Sequence, residues 1–235
     1  MNIEQNVSEV ENRIGYAFKQ KELLKQAITH SSFINELKIN KWDSYQRLEY
    51  LGDAVLELSI SEYLFHNHPD MSEGKMSKLR ASMVCEQALA FCAKDIQLGE
   101  FILLGKGEES GGGRERNSII SDVFEAIVGA VYIDGGFEEA KKFVAKYVLE
   151  DIGERQLFVD SKSILQEMVQ AESQSKLQYK LIGERGPEHN KEFEVAVYID
   201  NQCMATAIGH NKKDAEQKAA YSALKKLRAK KEEQE

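Results

Sequence analysis

The segment Tyr45–Leu56 (YQRLEYLGDAVL) constrains the fold more than any other stretch of the chain. It is apolar and helix-prone, yet it carries Glu49 and Asp53 four residues apart, so both carboxylates project from one face of one helix. Leu48, Tyr50, Leu51, Ala54, Val55 and Leu56 surround them with side chains that favour burial. A carboxylate among apolar neighbours is costly unless something pairs with it, and a hard cation taking oxygen ligands is a suitable partner. An exposed acidic face is the competing reading, and the apolar surround weighs against it.

The first part of the chain reads as helix after helix. Short amphipathic helices are predicted over Glu9–Ile14 and Lys21–Thr29. A long one runs from an N-cap at Asp43 or Ser44 to His66, where Asn67-His68-Pro69 stops it. Met76, Leu79, Met83 and Val84, spaced by three and four, predict a single helix over Ser72–Lys94. Gly105–Gly113 (GKGEESGGG) lacks the GK[ST] ending of a phosphate-cradling loop and reads as a connector. The next helix, Asn117 to Tyr132, is apolar nearly all round and ends before Asp134-Gly135-Gly136, which places it at the centre of a core. It nevertheless carries Asp122 and Glu125, three apart and on one face. Two acid pairs on helices that should be buried make four carboxylates able to converge on one site. A last helix is predicted over Phe137–Leu149.

Beyond this point the pattern changes. Residues 150–161 have mixed polarity and no sustained period, and within them 153–160 reads as a linker. A helix over Ser163–Ala171 is followed by alternating segments, Gln178–Gly183, Phe193–Ile199 and Met204–Gly209, that read as short strands. Gly186-Pro187 separates the first two and Asp200-Asn201 turns the second into the third. A long basic helix, Lys213–Lys230, completes an α-β-β-β-α order. The chain is therefore expected to be multidomain, an all-α domain over 1–152 (core about 7–136) followed by a small α+β domain over 161–230 and a charged tail at 231–235.

Charge follows the same division. Residues 1–158 account for the whole net charge of -8, and residues 159–235 are neutral. Within 208–231, Lys212, Lys213, Lys218, Lys225, Lys226, Arg228, Lys230 and Lys231 face only Asp214 and Glu216. An acidic first part thus precedes a basic stripe, which is the distribution that matters for binding a polyanion. No apolar run is long enough to span a membrane and no secretory signal is readable. Cys85, Cys92 and Cys203 form no CxxC pair, which fits buried thiols in a reducing cytoplasm.

These elements resemble bacterial ribonuclease III over essentially the whole chain. YQRLEYLGDAVL is similar to the signature segment of its helical endonuclease domain. Leu165-Gln166-Glu167, the GPEH loop at 186–189 and KKDAEQKAA at 212–220 are similar to its double-stranded RNA-binding domain. The resemblance implies a cytoplasmic homodimer that uses Mg2+ to cut both strands of double-stranded RNA. Its products would carry 5′-phosphate and 3′-hydroxyl ends with short 3′ overhangs, and its substrates would be ribosomal RNA precursors and other structured transcripts. Carried over, Asp53 and Glu125 match catalytic positions, and Glu49, Asp53, Asp122 and Glu125 together match the metal-binding quartet. Glu73 matches a position in the cleavage region, although a glutamate at a helix N-terminus is equally explained by the helix dipole. Ser163, Gln166 and Glu167 would meet one minor groove and His189 the next, while Lys212, Lys213 and Gln217 would sit on the phosphates between them. Gln46 stands where the family often has an acid, so any charge effect there is in doubt. Ser31 stands where an arginine is common, which makes His30 a helix-terminal structural residue rather than a base. The rival reading is a duplex-binding protein whose helical domain is only a dimerisation scaffold. A scaffold could lose any of the four acids, and none is lost.

Overall fold

The computed structural model describes residues 3–38, 43–150, 152–172, 175–186 and 191–232. The chain divides into two units, Met1–Ile152 and Gly153–Glu235. The first is built of α1 (Ile3–Ile14), α2 (Lys21–Ala27), α3 (Ser31–Leu37), α4 (Gln46–Asn67), α5 (Glu73–Val84), α6 (Glu86–Cys92), α7 (Lys106–Ser110), α8 (Asn117–Gly135) and α9 (Phe137–Val144). α8 is the axis of this unit. Val123, Phe124, Ala126, Ile127, Val128, Ala130 and Val131 are buried around its whole circumference, with α4 along it and α2, α6 and α9 on its other sides. Its end is set by Gly136, at φ 86°, whose N–H returns to Tyr132 O at 2.9 Å.

Several elements differ from the sequence expectation. The single helix over Ser72–Lys94 is broken at Cys85, which is extended at φ -68° and ψ 153°. The break lets α5 pack on α4 while α6 packs on α8, which one straight rod could not do. The connector Gly105–Gly113 contains α7 and the start of a 3-10 turn over Gly113–Glu115. Ion pairs Arg116–Glu108 at 2.6 Å and Arg114–Glu109 at 2.5 Å hold it. Helix α3 was not anticipated. His30 is its N-cap, with Nδ1 accepting from Ser32 N–H at 3.1 Å, a structural role of the kind read for it. α4 starts after Tyr45 rather than at Asp43 or Ser44, because the Tyr45 carbonyl accepts the Leu48 and Glu49 N–H groups at 2.8 and 2.9 Å.

Residues 153–159 of the expected linker are helical, in α10 (Ile152–Val159), whose Leu157 joins the core of the second unit and whose buried Phe158 lies edge-on to the Tyr221 ring. It is followed by α11 (Ser161–Glu172), an antiparallel sheet β1 (Leu177–Arg185), β2 (Glu192–Ile199) and β3 (Gln202–Gly209) in the order β1-β2-β3, and α12 (Lys212–Glu232). Asp200 and Asn201, at φ 48° and 68°, form the tight β2–β3 turn. Leu165, Val169, Val197, Ala205, Ala219, Ala220, Ala223 and Leu224 close the core between the sheet and α11 and α12. Residues 233–235 of the expected tail lie outside the described residues. Among the described residues no helix is long and apolar enough to cross a membrane, and Cys85, Cys92 and Cys203 are free thiols.

Candidate functional site

The site is assembled by the close approach of α4 and α8. A Cβ on Gly52 would stand 1.8 Å from Glu125 O, and one on Gly129 would stand 2.3 Å from Leu48 O. Only glycine at both positions lets the two backbones touch. Gly52 immediately precedes Asp53 and lies one turn after Glu49, while Gly129 lies one turn after Glu125. The contact that the glycines permit therefore brings both acid pairs to one seam. Glu49, Asp122 and Glu125 are half-buried there and Asp53 is exposed.

Their charges act on one another. Burial pushes the Glu125 carboxyl up to about 8, with repulsion from Asp53, Asp122 and Glu49 adding to it. Burial likewise raises Glu49 to about 7, helped by Asp122 and Asp53. Asp122 is also raised by burial, against the lowering effect of the Tyr45 hydroxyl, which donates to its Oδ2 at 3.1 Å, and of nearby His30. Tyr45 itself is held far above the ordinary phenol range by burial and by the Asp122 charge, so it remains a donor. His30 is lowered by burial, despite the raising effect of Glu108 and Asp122.

Glu49, Asp122 and Glu125, which burial leaves reluctant to ionise, together with exposed Asp53 are an all-oxygen donor set of the kind a small hard cation takes. Among the described residues no group of three or more His, Cys, Asp or Glu side chains is gathered closely enough to hold a metal ion as the side chains stand. Glu73 is exposed at the start of α5 and accepts from Ser77 Oγ at 2.8 Å. It is not among the charges acting on Glu49, Asp122 or Glu125.

In the second unit, Ser163, Gln166 and Glu167 are exposed along one face of α11. Lys212 and Lys213 are exposed in the first turn of α12, where the Asn211 side chain caps the helix by accepting from Asp214 N–H at 2.9 Å. Lys212 Nζ lies 3.7 Å from the Glu184 carboxylate. Gln217 does not join them. It is only 7% exposed, and its Nε2 donates to Phe158 O at 2.5 Å and Val159 O at 2.6 Å, satisfying carbonyls that the end of α10 leaves open. His189 lies outside the described residues. Sequence reasoning overlooked Tyr45 and the Gly52–Gly129 contact. Both sit in or beside the acid-bearing segments, but their partners are on another helix and no local period signals them.

The Ribonuclease-III-like family profile matches residues 20–152, and the Double-stranded RNA binding motif profile matches residues 161–227. Among curated relatives, Ribonuclease 3 of Oceanobacillus iheyensis is 46% identical over 221 residues, 93% of this chain and 97% of the relative. Ribonuclease 3 of Geobacillus kaustophilus is 47% identical over 223 residues, 94% of this chain and 91% of the relative. Two solved structures of the ribonuclease III nuclease domain from Campylobacter jejuni are similar to the first unit. One is 44% identical with a TM-score of 0.57, covering 60% of this chain and 95% of that one. The other is 43% identical with a TM-score of 0.58, covering 63% and 97%.

Proposed function

The chain belongs to the ribonuclease III family and is an endoribonuclease with a double-stranded RNA-binding domain, and from that premise we propose that it cuts both strands of duplex RNA with Mg2+ held by Glu49, Asp53, Asp122 and Glu125. The products carry 5′-phosphate and 3′-hydroxyl ends with short 3′ overhangs. Its substrates are ribosomal RNA precursors and other structured transcripts in the cytoplasm, a setting compatible with three free thiols. The observation that carries the reading is the convergence of two acid pairs at a backbone-to-backbone helix contact.

Bound there, Mg2+ would supply positive charge to the phosphoryl oxygens and make a bound water acidic enough to attack. The remaining work falls to the protein. Glu125, half-buried at the seam between α4 and α8, would take a proton from the attacking water and return one to the leaving 3′ oxygen. Asp53, the exposed member of the quartet, meets the incoming phosphate from the solvent side and orients the water. Glu49 and Asp122, half-buried on facing helices, would hold the ion.

Duplex RNA is recognised by shape through its shallow minor groove. Ser163, Gln166 and Glu167 supply one polar face for this, and His189 meets the next groove. Lys212 and Lys213 contact phosphate at the N-terminus of α12, where lysine charge and helix dipole act together. Gln217 positions the end of α10 rather than touching RNA. A homodimer through the first unit is supported by Tyr50, 83% exposed on α4, beside an open groove of about 790 Å³ that includes Leu23, Leu51 and Ile133. Leu58 and Phe65 extend the exposed apolar surface along α4. One Campylobacter nuclease-domain structure is described as having a region involved in dimer formation.

The test is a denaturing-gel assay of long duplex RNA against its single strand, in Mg2+ and in excess chelator, with Glu125→Gln alongside. Short duplex products that need Mg2+ and vanish in the variant, while RNA binding persists, are the expected result. Binding without cleavage by the unaltered protein would overturn it.

A further inference from the structure

Tyr45 adds a side-chain tie between the two acid-bearing helices to the backbone contact at Gly52 and Gly129. It is 5% exposed. Its carbonyl accepts the N–H of Glu49 at 2.9 Å, and its hydroxyl crosses to α8 and donates to Asp122 Oδ2 at 3.1 Å. One residue therefore restrains an acid on each helix. Phenylalanine would fill the same apolar space, so what the hydroxyl adds is its hydrogen bond to Asp122.

Tyr45 is itself firmly held. Its N–H donates to Thr29 O at 2.9 Å, and its ring lies 5.6 Å from that of His30. His30 is in turn fixed by Ser32, whose Oγ is 2.7 Å from Nδ1 and accepts from Gly105 N–H at 2.9 Å. The donor is thus anchored by backbone on one side and by a braced ring on the other. Such a donor can choose the rotamer of a carboxylate rather than follow it.

We propose that Tyr45 is a positioning residue of the metal site, holding Asp122 by Oδ2 so that Oδ1 is left for a divalent cation. This rests on the reading of the four acids as a metal site. Donors that orient a metal-binding carboxylate typically change metal affinity or activity by about 10–100-fold. Removing this hydroxyl leaves the ring, the core and the Glu49 backbone bond in place, so the loss falls on the ion and not on RNA binding or on folding.

The experiment uses the full chain and compares Tyr45→Phe, Glu125→Gln and Tyr16→Phe with the unaltered protein. Tyr16 is the control because its hydroxyl also donates to a buried carboxylate, Asp134 at 2.8 Å, about 18 Å farther along α8. Mn2+ binding is measured calorimetrically without RNA, and cleavage is measured across a Mg2+ titration. Tyr45→Phe should weaken Mn2+ binding and raise the half-saturating Mg2+ about tenfold. At saturating Mg2+ its kcat should fall only a few-fold, and duplex RNA binding in chelator should be unchanged. Tyr16→Phe should leave both metal titrations where they were. Tyr45→Phe curves that coincide with the unaltered protein's, while Glu125→Gln abolishes binding and cleavage, would overturn the role of Tyr45 alone. If Glu125→Gln also left both curves unmoved, the metal-site reading would fall and take this one with it.

Discussion

Glu49 and Glu125 hold protons far above the ordinary glutamate range, chiefly because they are half-buried and secondarily because other acids face them. The consequence for stability has a definite sign. Between about pH 4.5 and pH 8 the folded, metal-free protein retains protons that the unfolded chain has released, so stability falls as pH rises through that window. Glu125→Gln removes the larger of the two effects. Urea melts in chelator should show the variant more stable than the unaltered protein at pH 8.5, by about 1–2 kcal/mol after allowance for solvent screening, with little difference at pH 5. Parallel pH profiles for the two proteins would contradict this. At this scale the four acids were legible because each interrupts an apolar helical period. The inward turn of Gln217 is not legible, because residues 153–160 show no sustained period and so give no sign of the helix end whose carbonyls it satisfies. Tyr45 was overlooked because its acceptor lies 77 positions away.

Helices α4 and α8 owe their separation to two residues without side chains. An alanine at Gly52 would drive its Cβ into the Glu125 carbonyl, which is backbone and cannot rotate aside. Gly52→Ala should therefore cost about 3 kcal/mol in urea denaturation. It should also reduce cleavage by more than the lost folded fraction accounts for, because the two acid pairs are spread apart. An unchanged midpoint and unchanged turnover would show that the helices do not touch here. The longer helices announced themselves by period, and the β2–β3 turn by its Asp200-Asn201 pair. The short elements α3 and α7 and the break between α5 and α6 did not. A helix of a turn or two has too few positions to show a period, and its stability comes from what it packs against.

Across the whole molecule, an acidic catalytic unit and a smaller unit with a basic stripe divide the work. On the proposed function, the acidic unit should repel a polyanion at long range, and the linked RNA-binding domain should raise the local concentration of duplex at the site. A chain ending at Ile152 should bind duplex RNA more weakly, cut it only at low salt and high enzyme concentration, and still sediment as a dimer. No cleavage under any such condition would refute the division of labour, and a monomer would refute dimerisation through the first unit. The change from a period near 3.6 to alternation of 2 made the two fold classes readable directly, because each period reports which faces of a segment are apolar. Local chemistry also selected the four acids, since a charge inside an apolar repeat stands out without knowledge of its neighbours. The tertiary structure decided which faces meet, how closely, and which polar groups turn inward to serve a distant partner. Those outcomes depend on contacts such as Gly52 with Glu125 and Tyr45 with Asp122, made between residues far apart in the chain, and a local pattern carries no record of them.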